Sequence, residues 1–362
     1  MKKSTSLYDL SFSEIQQHLQ EWKQPKFRTQ QIWEWLYQKH VSSFDEMTNL
    51  STFLREQLDD TFILGRLETV IDLTSKDKLT RKILFELPGN IRIEVVKMTY
   101  LETETSRRRN TLCISSQAGC ALGCTFCATG QGGFQRNLTS GEIVEQVLFF
   151  IRELAKHDDR VTNIVFMGMG EPFANYDNVM NAVRKLTDPN GIGLGARRLT
   201  ISTVGLAPQI EKFAQENIQV NLAISLHAAT DELRGKTMPV NDRFPISVLM
   251  KACRKYIQAT NRRISFEWAM INRVNDTVEQ ATYLAEQIQD LLCHVNLIPL
   301  NPTKGFQQQA SDPLRIKAFQ AILNDYGVPN SVRARKGLDI NAACGQLSQQ
   351  YDVELESQNN AT

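Results

Sequence analysis

Over residues 11–60 the apolar positions recur at helical spacing and no stretch alternates. Ile15, Leu19 and Trp22 share one face, Ile32, Trp35 and Leu36 share another, and Pro25 separates the two groups. This predicts a small helical unit, taken as residues 1–65. From 66 to 105 the texture changes to short apolar runs, LETVIDLT, KILFEL and IRIEVVKM, interrupted by Lys76-Asp77-Lys78 and Pro88-Gly89-Asn90. Such runs between turn residues predict a small antiparallel meander that links the helical unit to the larger remainder of the chain.

From 106 to 347 strand-like and helix-like stretches alternate: TLCISS, 139–155, NIVFMG, 177–187, RLTISTV, 207–216, VNLAISL, 245–258, RISFEWAMI, 277–290, HVNLIPL, 313–325 and SVRAR. Alternation of this kind implies crossover connections and a parallel sheet. Thr139 with Glu142, and Asp276 with Glu279, have the spacing of capping boxes at helix starts. The units fall short of a closed eightfold barrel, so the fold class expected is α/β with a partial (β/α)6 TIM-like barrel. Ligands should gather at the carboxyl ends of its strands. The polar tail, 348–362, is expected to be disordered.

Composition changes this picture little. The chain has 362 residues, 42% hydrophobic and 22% charged, and 41 Lys plus Arg against 40 Asp plus Glu leave a formal charge of +1. A globular protein is implied, without the overall positive charge of a polyanion binder, so any nucleic-acid contact must come from local patches. No run is apolar enough to span a bilayer and the start, MKKSTSLYDLSFSE, lacks the apolar centre of a secretion signal, so a cytoplasmic protein with no membrane partner is expected. Seven unevenly spaced cysteines do not make a disulfide framework; in a reducing compartment clustered thiols point to metal or redox chemistry.

Three of them stand in CALGCTFC: Cys120, Cys124 and Cys127 come after the first strand of the alternating region, in the loop over its carboxyl end. Structural zinc wants four protein ligands, and Cys113 or Cys344 would have to complete the set, giving a zinc-bearing RNA-binding module. An iron–sulfur cubane held by three cysteines keeps one iron free for an exogenous ligand. Gly168-Met-Gly-Glu-Pro172, after NIVFMG, puts a carboxylate in a glycine turn suited to meeting an amine. Ser202, Ser225-Leu226-His227 and Asn301 close three further strands at the same rim.

The Cys-x3-Cys-x2-Cys spacing, with an aromatic before the last cysteine, resembles the radical S-adenosylmethionine signature. That resemblance implies a 4Fe-4S cluster on Cys120, Cys124 and Cys127, and S-adenosylmethionine contacts at Gly170, Glu171, Ser202, Ser225, Leu226, His227 and Asn301. CALGCTFCATG, MGMGEP, ISLHA, MPVNDR, NLIPLNP and INAACGQL together resemble the RlmN family of bacterial adenine-C2 methyltransferases acting on 23S rRNA and on tRNA.

By the same resemblance Cys344 carries a methyl group, Cys113 resolves it through a transient disulfide, and Glu94 accepts the proton leaving carbon 2. Two S-adenosylmethionine molecules are used per turnover, an electron-donor protein is needed, and the enzyme is a monomer. Methylation at carbon 8, as in the related antibiotic-resistance enzymes, is the alternative; Pro172 after Glu171 fits the carbon-2 group. Arg107-Arg108-Arg109, Arg197-Arg198, Arg262-Arg263 and the Lys23, Lys26, Arg28 group are the candidate RNA patches, although such groups are commonly solvated faces.

Overall fold

The computed structural model describes residues 5–348, so all of the expected tail except Ser348 lies outside the described residues. Three helices, α1 (Phe12–Glu21), α2 (Phe27–Tyr37) and α3 (Thr52–Thr61), form the amino-terminal unit. Ile15, Leu19, Ile32 and Leu36 are buried as the spacing predicts, but it is Trp33 that enters the core. Trp35, expected there, is only half-buried and donates its indole N–H to Asn49. The reason is that α2 also packs on the barrel: Trp33 Nε1 reaches Asp188 Oδ2 at 2.8 Å, rotating the apolar stripe by two positions.

The meander comes next as β1 (Glu68–Thr74), β2 (Thr80–Leu87) and β3 (Ile91–Tyr100), then β4 (Arg109–Cys113), β5 (Gln117–Gly119), α4 (Ala128–Gln131) and β6 (Phe134–Asn137). The crossover region contains α5 (Ser140–Ala155), β7 (Asn163–Phe166), α6 (Tyr176–Thr187), β8 (Leu199–Thr203), α7 (Ala207–Phe213) and β9 (Asn221–Ser225). After these come α8 (Asp231–Thr237), α9 (Ile246–Thr260), β10 (Ile264–Met270), α10 (Val278–Ile288), β11 (Cys293–Pro299), α11 (Pro313–Asp325) and β12 (Asn330–Val332). Among the described residues no helix is long and apolar enough to cross a membrane.

One ten-stranded sheet runs β1-β2-β3-β4-β7-β8-β9-β10-β11-β12. Pairing is antiparallel up to β4 and parallel from β4 to β12, a partial TIM-like barrel whose sheet continues into the meander. Period-two alternation sorts each barrel strand. In β10, Ile264, Phe266, Trp268 and Met270 are buried among the apolar core, and Ser265 and Glu267 take the opposite face. The small β5–β6 hairpin, which the pattern did not predict, closes over the cysteine loop.

Of the two capping boxes, that of Thr139 and Glu142 forms, with both reciprocal hydrogen bonds. The second does not: Thr277 caps α10 by accepting from the Gln280 N–H, one residue later than expected. Asp276 is drawn away by Arg315, which donates to both carboxylate oxygens at 2.7 and 2.8 Å. The guanidinium offers the carboxylate two charge-assisted hydrogen bonds and a full opposite charge, where the cap offers a backbone N–H.

The helical unit docks on the first turn of α5. Gly141 N–H donates to Asp9 Oδ1 at 2.9 Å, and the Lys185 ammonium donates to the carbonyls of Tyr8 and Asp9 and to Ser140 Oγ. A Cβ on Gly141 would lie 2.6 Å from Asp9 Oδ1 and 2.9 Å from both Asp9 N and Tyr8 C. Alanine in a helix ordinarily stabilises by roughly 0.5–1 kcal/mol relative to glycine. Gly141→Ala should instead destabilise by about 1–3 kcal/mol, because the close neighbours are mostly backbone. Chemical denaturation of the two proteins checks the sign; a gain in stability would show that the amino-terminal segment does not dock here.

Candidate active site

Cys120, Cys124 and Cys127 lie between β5 and α4, with Cys127 as the amino-terminal cap residue of α4. The loop turns at Gly123, φ +65°, and is tied to its surroundings through Cys120 N–H to the Gly133 carbonyl and Thr125 N–H to the Thr237 carbonyl. Gly130 lets α4 sit on this loop, since a Cβ there would be 3.0 Å from both the N and the O of Cys124. The three sulfurs stand close enough to act on one another. Burial pushes the Cys124 thiol up, and the Cys127 and Cys120 sulfurs push it further. Burial likewise pushes Cys120 up to about 12, with Glu171 adding to the effect.

Among the described residues no three His, Cys, Asp or Glu side chains converge tightly enough for a single metal ion. A cubane gives each thiolate its own iron and needs thiols spread further apart, so three mutually neighbouring cysteines around a glycine-cradled loop fit that group.

Glu171 is buried beside this loop. Its carboxylate accepts from Phe173 N–H at 3.0 Å and Val204 N–H at 2.8 Å, and Thr203 adds a side-chain hydrogen bond. Burial pushes its carboxyl up to about 7, against the pull of those donors. The two glycines before it have a reason internal to the protein. A Cβ on Gly168 would be 2.6 Å from the Ile114 carbonyl, and one on Gly170, φ +100°, would be 2.5 Å from Gln117 Cβ. They let the β7 exit cross the chain leaving β4.

At the next rim positions, Ser202 and Ser225 end β8 and β9. Leu226 has both backbone groups engaged, its N–H with the Glu267 carbonyl and its C=O with Arg234. His227, φ +59°, accepts at Nδ1 from Ala269 N–H, which leaves its ring proton on Nε2. Burial, with Arg234 nearby, pushes it down to about 3, so the ring is neutral, and it packs edge-on against Phe126 of the cysteine loop. Arg234, fully buried, donates to carbonyls of Val204, Ser225, Leu226 and Phe244 and to Asn241 Oδ1. It ties the ends of β8 and β9 together underneath the site. Nothing in the motif MPVNDR announced this guanidinium, although Asn241 of that motif holds it.

Cys113 and Cys344 come together. They line one cavity with Asn301, Met167 and Arg333, and burial pushes Cys113 up to about 12, with the Cys344 sulfur second among the causes. Arg333 is held still more firmly protonated, mainly by Cys344. Asn301 Nδ2 donates to the Cys344 carbonyl at 3.0 Å, while its buried Oδ1 has no partner and is available to a ligand. Glu94 is placed differently. Its carboxylate pairs with Lys82 Nζ at 2.8 Å and accepts from Ser348 N–H at 2.8 Å. Since Lys82 also donates to the Asn341 carbonyl, the pair holds both ends of the Cys344 segment. Burial raises the Glu94 carboxyl and Lys82 opposes it.

Comparison with known proteins matches residues 5–64 to the ribosomal RNA large subunit methyltransferase N-terminal domain and 114–281 to the radical SAM superfamily. A Staphylococcus haemolyticus protein named "Probable dual-specificity RNA methyltransferase RlmN" is 47% identical over 344 residues, covering 94% of this chain and 92% of its own length. The chain belongs to the RlmN family. A Chloroflexus aurantiacus protein of the same name is also 47% identical, over 97% of this chain and 94% of its own. The crystal structure of a radical SAM methyltransferase from Sphaerobacter thermophilus superposes with a TM-score of 0.92 at 44% identity, covering 96% of this chain and 100% of that one. Membership in the RlmN family implies a 4Fe-4S cluster and S-adenosylmethionine.

Besides Arg234, sequence reasoning missed Lys82 and Arg333. Arg333 could have been found from alternation: it shares the lumen face with Ser331 on the strand-like run SVRAR. A thiol as buried as Cys113 stays protonated through the neutral range. In native protein it should resist alkylation by iodoacetamide and become fully reactive in urea, as read by peptide mass spectrometry; rapid native labelling would show that the cavity is open to solvent.

Proposed function

We propose that this chain methylates carbon 2 of an adenine in 23S rRNA, at the peptidyl-transferase centre, and in the tRNA anticodon loop. Cys344 is the methyl carrier, Cys113 the resolving thiol and Glu94 the proton acceptor. The observation that carries this reading is the meeting of Cys113, Cys344 and Asn301 around one cavity from three distant parts of the chain.

In this reading Cys120, Cys124 and Cys127 hold the cluster, and Gly170, Glu171, Ser202, Ser225, Leu226, His227 and Asn301 hold S-adenosylmethionine, two molecules of which are consumed per turnover. Bound there, the two groups supply the one-electron cleavage that functionalises an aromatic carbon inert to polar methylation.

The chain's own residues do the rest. Cys344, in the same cavity as Arg333, takes the methyl group by displacement at its sulfur. When the carbon has bonded to adenine, Glu94 takes the proton from carbon 2, which requires it to exchange Lys82 and Ser348 for that proton. Cys113, which burial keeps protonated in the resting site, gives up its proton as it attacks the Cys344 sulfur; the carbon–sulfur bond breaks with its electron pair going to the product carbon, which takes up a proton to become the methyl group, and a disulfide remains. Cellular thiols must reopen that disulfide, which places the enzyme in the reducing cytoplasm. An electron-donor protein is required, and the enzyme acts as a monomer.

RNA from cells with and without the gene should differ in 2-methyladenosine when digested and weighed by mass spectrometry; equal amounts sink the carbon-2 assignment. Cys113→Ala should accumulate protein covalently joined to RNA, because release has lost its nucleophile. Absence of any adduct from an otherwise iron-loaded variant removes Cys113 from the resolving role. Lys82→Met should lower turnover by more than tenfold while Lys82→Arg retains part of it, since Glu94 and the Cys344 segment lose a shared buried cation; equal losses in both would argue for a steric role only.

A further inference from the structure

The strand ends opposite the cysteine loop open on a second, larger cavity. Arg109 at the start of β4, Arg197 just before β8, and Arg262 and Arg263 just before β10 stand around its mouth. Along the chain they belong to three separate basic patches. Among the described residues none of the four is paired with a carboxylate. Elsewhere on the surface Arg108 pairs with Asp159, Arg184 with Glu216 and Arg254 with Asp290. The mouth arginines are oriented by uncharged groups instead: Arg262 donates to Asn221 Oδ1, Arg197 to Gln219 Oε1, and Arg109 lies 4.2 Å over the Tyr100 ring. Four uncompensated guanidinium groups around one opening repel each other and are relieved by a polyanion.

The cavity is a built site further in. Glu267, buried and midway along β10, has one carboxylate oxygen accepting from Asn296 Nδ2 at 2.8 Å; the other, Oε2, has no hydrogen-bond partner and lies 3.9 Å from Arg333 Nη1. Val165, Met167 and Arg333 line both this cavity and the one containing Cys113 and Cys344. From Arg109 to Cys113 is the length of β4, about 13 Å at strand rise.

We propose that the amino-terminal mouth of the barrel is the entrance for the RNA strand, with phosphates on Arg109, Arg197, Arg262 and Arg263 and the flipped adenine directed inward past Glu267. This rests on the RNA-modifying reading above and adds a direction to it: nucleic acid enters from the end of the barrel opposite the cysteine loop. A base extruded from its stack carries its Watson–Crick edge into the protein, and the free Glu267 oxygen is an acceptor for the exocyclic amine. Guanidinium groups at the rim suit phosphates through paired hydrogen bonds and charge.

The test is fluorescence anisotropy with the full-length, iron-loaded protein and a labelled RNA hairpin carrying adenine in its loop, titrated at several salt concentrations. Arg262→Glu with Arg263→Glu should weaken binding by roughly tenfold or more and flatten the salt dependence by about 1–2 in log–log slope, one contact accounting for roughly 0.7–0.9. Arg197→Glu, on a different element, should act in the same direction, while Arg254→Glu on the outer surface should not. Melting temperature and iron content of each variant report whether it is folded.

Replacing the target adenosine by purine riboside, which lacks the amine, should weaken binding to the wild type and leave binding to Glu267→Leu unaffected; equal weakening in both removes Glu267 as the acceptor. Folded mouth variants that keep wild-type affinity and salt slope overturn the entrance. Wild-type protein that binds RNA through the mouth but forms no 2-methyladenosine would overturn the proposed reaction and leave the entrance standing.

Discussion

One hydrogen bond, from Ala128 N–H to the Gly345 carbonyl at 2.7 Å, joins the loop that holds the three cysteines to the segment that carries Cys344. Most of that segment, 341–348, lies outside regular secondary structure, so its backbone groups must find partners in other elements. Thr129 Oγ1 donates to the Leu347 carbonyl, Asn301 to that of Cys344, and Lys82 to that of Asn341, while Ser348 N–H donates to Glu94. The position of the thiol is therefore set jointly by the cysteine loop, the β11 exit and the meander. The meander, expected as a linker, supplies the buried Lys82–Glu94 pair, and so shares in building the site.

That arrangement explains an apparent conflict over Glu94. The proton acceptor proposed for the reaction should be free, yet Glu94 is paired and hydrogen-bonded. A buried ion pair is costly to break from one side, since the partner is left charged in a dry setting. In the proposed reaction, the same pair that holds the Cys344 segment would therefore withhold Glu94 until the segment shifts, tying removal of the proton to movement of Cys344. Arg234 plays the corresponding static role at the carboxyl ends of β8 and β9. Its acceptors are mostly carbonyls that strand pairing has left over, and each would cost about 1–3 kcal/mol if orphaned.

What could be read from the sequence was whatever chemistry is local. CALGCTFC and GMGEP carry their meaning in consecutive residues, and the alternation of strands and helices is a short-range pattern, so the barrel and the cysteine loop were legible. The union of Cys113 with Cys344 came only from family resemblance, because no spacing rule brings together residues at opposite ends of a domain. Trp33 replaced Trp35 in the core because the barrel competed for α2, and Asp276 failed to cap α10 because Arg315 reached it from α11. Arg333 and Glu267 went unnoticed although both obey strand alternation; a charge on the lumen face becomes visible only when the register of neighbouring strands is considered as well.

Net charge is a far-field quantity and leaves local patches open. A total of +1 describes the far field, where opposite charges average out within a Debye length of roughly 8–10 Å. It says nothing about an opening around which, among the described residues, four arginines stand without carboxylate partners. Four guanidinium groups around one opening add their fields at that end of the barrel. The opposite end is taken up by the cysteine loop, the Cys344 segment and the Arg234 network. RNA entering by the mouth as proposed would reach the wall shared by both cavities, formed by Val165, Met167 and Arg333, from the side away from the cysteine loop.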